Sequence, residues 1–527
     1  MNLLMQMEAT RRGYLNDCKL NTKGAFFMKV KLFQFCMILS CLLVVSCQAA
    51  QQTRKPNVII IMADDMGYGG PSCYGGKAYK TPGIDRLAAE GISFTDFHSS
   101  GNVCTPTRAG LLTGRYQQRA GIEAIIHPEP NHPEHRKGLQ DVEITFAEVF
   151  KKAGYATGMV GKWHLGYAVE NEKYHPLNHG FDKFHGFLGG NIDYISHWGD
   201  NLDHDWYHDR KETVEKGYTT HLINKYSLEF IEENRDKPFL LYIAHEAPHA
   251  PVQGPGDKIV RGPDIGERNE EYPESKSIND AYQSMMNTMD EGVSQVYRKI
   301  KTLGLAEDTI IVYLSDNGPS PKTRTDHPSL RGYKGSLYEG GHRVPAIFWQ
   351  PGTISAGVRD TTLSISLDIM PTIISLAGLT PPADHHFDGV DLSKVLKKQG
   401  TIKPCPLYWF ALSNGGTRNE AMRDGDWKLI VNHPKAPKGT FENEQALLFN
   451  LKNNLEESVN LAAKEPERVQ AMLKKIKAAY EDTQRSAPKQ IGGWLENPNW
   501  SNRREFKHFR AVKAKEWEKM RAIRVIP

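Results

Sequence analysis

Pro56-Asn57-Val58-Ile59-Ile60-Ile61-Met62-Ala63-Asp64-Asp65 decides the fold. A continuous apolar, mostly β-branched run with no polar alternation reads as a strand buried on both faces, as in a parallel sheet covered by helices. It stops at two carboxylates. Far downstream, Thr309-Ile310-Ile311-Val312-Tyr313-Leu314-Ser315 repeats the pattern and stops at Asp316-Asn317-Gly318. Two buried strands thus deliver oxygen-bearing side chains at their carboxyl ends, the rim of an open α/β sheet at which ligands bind. Asp-Asn-Gly alone is a common turn and Asp-Asp a common solvated pair. Placed together after matching strands, Asp64, Asp65, Asp316 and Asn317 suit a hard cation, Ca²⁺ in preference to Zn²⁺.

Two further strands are expected to reach the same rim. Tyr155 to Val160 leads into Gly161-Lys162-Trp163-His164, and on an extended stretch Lys162 and His164 would share one face. Phe239 to Ala244 leads into His245-Glu246-Ala247-Pro248-His249-Ala250-Pro251. His245 and His249 have the spacing of a zinc-binding helix, but Pro248 and Pro251 make that helix implausible. Before the first of these strands, Ile144 to Gly154 reads as a short amphipathic helix and Ala120 to Gln140, rich in Pro and His, as an active-site loop. A helix from near Asn279 carries Met285, Met286, Met289, Val293 and Val296 near one face, which reads as core packing.

The stretch Cys104-Thr105-Pro106-Thr107-Arg108-Ala109-Gly110-Leu111-Leu112-Thr113-Gly114-Arg115 opens a helix, with Thr105 as the expected cap and Pro106 in the first turn. Cys104 then sits at a helix N-terminus, which attracts anions, and Arg108 lies one turn on. These twelve residues resemble the signature of type I sulfatases, of the alkaline phosphatase superfamily. The overall resemblance is to arylsulfatase and N-acetylgalactosamine-6-sulfatase-like members. The resemblance continues through Lys162 and His164, through Ala247-Pro248-His249, and through Arg331-Gly332-Tyr333-Lys334-Gly335 with Glu339-Gly340-Gly341-His342-Arg343.

The resemblance implies that Cys104 is oxidised to formylglycine, whose hydrated aldehyde is the nucleophile. It makes Asp64, Asp65, Asp316 and Asn317 the ligands of one calcium ion, shared with residue 104. Arg108, Lys162 and Lys334 would bind sulfate, His164 would contact the formylglycine hydroxyl and serve as base, and His249 would be the general acid. It also implies an α/β fold with a large mixed, mostly parallel sheet sandwiched by helices, alkaline phosphatase-like, and a smaller C-terminal antiparallel sheet-plus-helix domain. The partners implied are a sulfated carbohydrate and a formylglycine-generating (sulfatase-maturating) enzyme. The alternatives are a phosphate or phosphonate monoester hydrolase of the same superfamily, and a catalytically silent glycan-binding surface lipoprotein. The second would be expected to lack Cys104, Lys162 or His249.

At 527 residues the chain has room for two domains. Residues 1–50 read as an upstream extension and a lipoprotein-type signal peptide, 54–400 as the catalytic domain, and 401–527 as a C-terminal subdomain with a basic tail. Lys29, Lys31 and an apolar run to Val45 precede Val44-Val45-Ser46-Cys47, which resembles a bacterial lipobox; the alternative is an ordinary signal peptide ending near Ala50. Either way the protein is expected to be exported, to a bacterial periplasm or an outer-membrane surface, with the membrane involved only through a lipid anchor at Cys47. A net charge of +4 argues against a nucleic-acid binder. Processing leaves Cys73, Cys104 and Cys405, with no framework to support a Cys73–Cys405 bridge. Residues 184–208, dense in aromatic and hydrogen-bonding groups, read either as a sugar-stacking surface or as packed loop. In the C-terminal part, Ala421 to Val431 reads as a hairpin about Asp424-Gly425-Asp426, and Pro466 to Tyr480 as an amphipathic helix.

Overall fold

The computed structural model describes residues 54–488, except 129–131, 133, 168–171, 201–202, 263–277, 322–328, 413–417 and 433–444. The signal-like segment with Cys47 and the basic tail with Trp494, Trp500 and Trp517 lie outside the described residues. No helix among the described residues is long and apolar enough to cross a membrane.

The strands, in chain order, are β1 (Asn57–Ala63), β2 (Ile92–Phe94), β3 (Phe97–His98), β4 (Ala156–Lys162), β5 (Lys183–Phe187), β6 (Tyr207–His208), β7 (Lys211–Glu212) and β8 (Phe239–Ala244). Then follow β9 (Thr309–Ser315), β10 (Ala346–Trp349), β11 (Val358–Asp360), β12 (Ser364–Ile365), β13 (Leu407–Leu412), β14 (Arg418–Asp424), β15 (Trp427–Asn432) and β16 (Gln445–Asn450). Ten of them form one sheet in the order β11-β2-β10-β9-β1-β8-β4-β5-β6-β7. Its centre, β9-β1-β8-β4-β5, is parallel throughout, while β10 and the β6–β7 edge run antiparallel.

β1 shows why an unbroken apolar run is needed. Val58, Ile60 and Met62 point into one core with the helices Cys104–Thr113, Phe146–Lys152 and Ile369–Leu376. Ile59, Ile61 and Ala63 point into the other, with Pro82–Glu90, Thr219–Glu233 and Ile278–Thr302. Alternate residues thus serve opposite layers, and neither face can be polar. Met285, Met286, Met289, Val293 and Val296 are all buried in the second core, as their spacing suggested.

The small sheet, β13-β14-β15-β16, is antiparallel. β14 and β15 are the expected hairpin, turning at Gly425 and Asp426; β13 was not anticipated. One face packs Trp409, Ala421, Ile430 and Phe449 on Tyr116, Leu337, Ile365 and Leu367 of the large part. The other carries Val469, Met472 and Ile476 of the helix Pro466–Arg485. Residues 184–208 resolve toward packing: Phe184, Phe187, Tyr194 and Trp206 are core, and Asp193 and His197 are buried. Cys73 and Cys405 are both free thiols.

Candidate active site

Four adjacent parallel strands end at one place. The loops after them are tied by backbone hydrogen bonds: Asp64 N–H to Ala247 O (3.2 Å), Asp316 N–H to Ala63 O (3.1 Å) and His245 N–H to Met62 O (2.9 Å). The register does the positioning, since Ala63 pairs with Ser315, and Met62 and Gly161 both pair with Ala244. Close approach at this rim explains Gly161, with φ of 107°: a Cβ there would lie 2.0 Å from Ala244 O. Lys162 is the next residue.

The structure brings all the sequence-derived site residues together. Asp64 is fully buried against the Lys162 ammonium, with Arg108 Nη2 3.6 Å away. Asp65 receives Asn317 Nδ2 at 2.7 Å and Lys334 Nζ at 2.8 and 2.9 Å, and His249 Nε2 lies 3.6 Å from it. Arg108 donates to Asp316 Oδ2 (3.2 Å) and to the Lys162 carbonyl (2.9 Å). Cys104, 2% exposed, opens the helix at whose next turn Arg108 stands.

Two local expectations are corrected. The helix begins at Cys104 with Val103 as its cap, and no side chain caps it. Thr105 faces the loop instead, where its hydroxyl accepts the Ile126 N–H at 3.3 Å. Nor does strand alternation unite Lys162 and His164: β4 ends at Lys162, and His164 has φ of 55°. That left-handed residue swings its ring under the 120–140 loop, where Nε2–H meets the Ile126 carbonyl at 3.0 Å. Its Nδ1 is buried without a partner.

Charge explains what the site is prepared to hold. Burial alone would push the Asp64 carboxyl up, but Lys162, His249, Arg108 and Lys334 outweigh it and keep it far below the usual range. Asp316 goes the other way, pushed well up by burial and by the charge of Asp64, against the pull of Arg108. Asp64 and Asp316 thus share the one guanidinium of Arg108. Asp64 Oδ1 and Asn317 Oδ1 are also buried with no partner, and the nearest ligand atoms of Asp64, Asp65 and His249 lie within 4.8 Å of one another. Orphaned oxygens, clustered buried carboxylates and an oxygen-dominated donor set fit a hard divalent cation. Burial and Lys334 lower His249 to about 4, so its ring is neutral here; Nδ1–H donates to Ala250 O at 2.6 Å. Burial, Lys162 and Arg108 hold His164 well below its ordinary value.

Sequence reasoning missed three contributors. Glu246, between the two histidines of its motif, is fully buried; Oε1 accepts the Ile192 N–H at 2.7 Å, Oε2 has no partner, and burial pushes the carboxyl well up. Its signal was in plain view, a carboxylate two residues past the end of an apolar strand. Asn102 and Gly335 bond each other twice, Asn102 Nδ2 to Gly335 O and Gly335 N–H to Asn102 O, both 2.8 Å, joining the segment before Cys104 to the one after Lys334. The third is Lys428 of β15, fully buried, with Nζ 2.9 Å from Glu339 and Glu457 and 3.0 Å from His342. Glu339, His342 and His98 have metal-like proximity, but this ammonium already stands among them.

A large mixed α/β sheet whose central strands end in buried acids, bases and a helix-start cysteine defines a hydrolase of the alkaline phosphatase-like class. The sulfatase family model matches residues 56–379, and the chain belongs to the sulfatase family, the sulfuric ester hydrolases. It is 34% identical to N-acetylgalactosamine-6-sulfatase of Rattus norvegicus over 385 residues, 69% of each chain. It is 32% identical to human arylsulfatase A over 488 residues, 83% of this chain and 90% of the relative. Among solved structures, Ps i-CgsB in complex with k-i-k-neocarrahexaose aligns with a TM-score of 0.71 at 28% identity, covering 86% of this chain and all of the other.

Proposed function

We propose that this protein is an exported, formylglycine-dependent, calcium-containing sulfatase that removes sulfate from sulfated carbohydrates. The observation that carries the reading is the convergence of Arg108, Lys162 and Lys334 on the rim at which Cys104 opens its helix. By its name the N-acetylgalactosamine-6-sulfatase relative acts on a 6-sulfated amino sugar, and the solved structure named above is in complex with an oligosaccharide, which supports the substrate class.

Three buried bases face three buried acids, so the pocket is balanced with no room for a further anion. Asp64, Asp65, Asp316 and Asn317 would hold a calcium ion, which when bound would supply positive charge and Lewis-acid polarisation there. Lys162 and Lys334, whose ammonium groups stand beside Asp64 and Asp65, would bind the sulfate monoanion, with Arg108 fixed between the strand ends. Oxidised to formylglycine by a maturating enzyme, residue 104 would supply a hydrated aldehyde, one hydroxyl attacking sulfur and the other allowing sulfate to leave by elimination. His249 is anchored through Nδ1, so Nε2 is the atom that hands a proton to the departing alkoxide. A bound anion beside it raises its proton affinity when that proton is needed. His164, anchored through Nε2–H, keeps Nδ1 as an unprotonated base for the elimination. His249 and Lys334 are the accessible members, their side chains 15% and 16% exposed, whereas Arg108 and Lys162 are fully buried. Substrate therefore approaches over His249 and Lys334.

The test is sulfate release from position-defined sulfated monosaccharides and short oligosaccharides, using protein made alongside a maturating enzyme. Activity lost in Cys104→Ala, lost on chelation and restored by Ca²⁺, with the aldehyde seen at residue 104 by mass spectrometry, supports the reading. Turnover of phosphate esters alone would overturn it. Mass spectrometry of the mature N-terminus decides export: a diacylglyceryl Cys47 or a start near Ala50 agrees, and an intact Met1 does not.

A further inference from the structure

A cavity of about 340 Å³ lies at the seam between the large part and the small sheet. On one side it is lined by Asn102, Val103 and Gly335. Val103 immediately precedes Cys104, and Gly335 immediately follows Lys334, one of the two site residues through which substrate enters. The double Asn102–Gly335 hydrogen bond is thus the wall shared by the cavity and the reaction centre.

The opposite wall is the end of the small sheet, where its inward face changes character. Trp409, Ala421 and Ile430 pack against the large part. Two residues further along each strand on the same face come Ala411, Asn419 and Asn432. Ala411 pairs with Asn419, and Asn432 lies one step beyond the Glu420–Val431 pair, so the three form a single cross-strand row. An apolar row gives way to two amides beside a small alanine at the cavity, and all three residues line it. Amides offer a donor and an acceptor side by side, the pattern that matches neighbouring hydroxyls of a sugar. Ser336 adds a hydroxyl, and Leu337 and Ile430 an apolar floor. Among the described residues, no lysine, arginine or histidine lines the cavity, whereas Glu123 does, held by Tyr480 Oη (3.1 Å) and Gln484 Nε2 (3.0 Å) of the last helix. The Glu123 carboxylate disfavours a sulfate or carboxylate group beside it.

We infer that this seam cavity is a subsite for an uncharged sugar adjoining the sulfated one, with Asn419 and Asn432 as its hydrogen-bonding residues. The inference rests on the sulfatase reading and adds to it: specificity for the neighbouring sugar comes from the small sheet, apart from the residues that hold sulfate.

The experiment uses matured enzyme and three probes: N-acetylgalactosamine 6-sulfate alone, the same residue linked to neutral galactose, and the same residue linked to glucuronate. Extension by galactose is expected to lower KM about tenfold, the scale of one or two hydrogen bonds, and extension by glucuronate to give no gain. Asn432→Ala, which removes an amide, and Ala411→Phe, which fills the cavity, should each erase that gain. Both should leave kcat/KM on the monosaccharide within about twofold. Equal KM for all three probes, or parallel loss on monosaccharide and disaccharide, overturns the subsite. Should the wild type release sulfate from none of them, the cavity is read by calorimetric titration with the galactose-extended probe. Binding weakened in Asn432→Ala but not in Cys104→Ala sustains the subsite, and binding that is absent or unaffected by Asn432→Ala refutes it, whatever becomes of the sulfatase reading.

Discussion

Replacing Lys428 by methionine should unfold the seam between sheet and rim before it touches any catalytic group. The ammonium is fully buried, 2.9 Å from Glu339 Oε1 and from Glu457 Oε1, and 3.0 Å from His342 Nε2. At an effective dielectric of about 20, each carboxylate contact at that distance carries roughly 6 kcal/mol of attraction, most of it offset by the desolvation of three ions. Methionine fills a similar volume, so the change is chiefly the stranding of buried acids, and about 3–5 kcal/mol of stability should be lost. Glu339 bears most of it. Its carboxyl is held far below the usual range by Lys428, His98 and Arg423 against burial, whereas burial and Glu339 push Glu457 up. The damage should also reach the reaction centre, because Glu339 opens the short helix Glu339–His342, whose Gly341 carbonyl accepts the N–H of Gly318 at 2.9 Å, next to Asn317. Urea unfolding followed by intrinsic fluorescence measures the loss, and sulfate release measures the spread. Adding Glu339→Gln to Lys428→Met should recover at least about 1 kcal/mol, since the stranded charge is then gone. A single variant that loses less than about 1 kcal/mol, or a double variant no better than the single, would refute the reasoning.

Three other outcomes are expected. Burial keeps His179, His197 and His245 at about 4, about 4 and about 3 rather than 6.5, so between those limits the unfolded chain takes up protons that the folded chain refuses. Stability should be level above about pH 7 and fall as pH drops from 6.5 toward 4, and a urea midpoint unchanged down to about pH 5 would contradict this. Glu246→Gln keeps the acceptor for Ile192 N–H and mimics a carboxyl that burial has neutralised, so it should cost under about 1 kcal/mol, while Glu246→Ala should cost about 2–3; equal losses by calorimetry would remove the hydrogen bond from the account. Gly161→Ala forces a Cβ against Ala244 O beside Lys162, and a loss below about 2 kcal/mol in chemical unfolding would mean that β4 and β8 can separate there without consequence.

The strand ends were legible because burial leaves little choice. Val58 to Met62 and Ile310 to Leu314 must satisfy two apolar layers, so polar residues directly after them are conspicuous, and a parallel register carries both sets to one rim. Cys104 and Arg108 were legible through a motif whose spacing is one helical turn. What failed was local backbone detail. Thr105 has the chemistry of a cap, but Ile126 N–H competes for its hydroxyl across 21 residues, and nothing near Thr105 announces that partner. Strand alternation does not reach His164, two residues past the end of β4, where a left-handed φ breaks the period-two pattern.

The small sheet was harder to read for a different reason. Its function is divided among residues that carry no motif: Lys428 looks like one of many surface lysines on a hairpin, and Asn419 and Asn432 like ordinary strand-end amides. Each acquires meaning only from the segment it faces, Lys428 from the Glu339–His342 turn and the two asparagines from the wall beside Val103 and Gly335. The groups that contact sulfate must keep fixed chemistry, so they stand in short motifs at strand ends and helix starts. Groups that choose the neighbouring sugar need only be complementary to that sugar, and they sit where a second sheet closes over the rim. That division predicts which substitutions alter turnover and which alter choice of substrate: changes at Arg108, Lys162 or Lys334 should lower activity on every sulfate ester alike, and changes at Asn419 or Asn432 should re-rank extended substrates while leaving the monosaccharide rate in place.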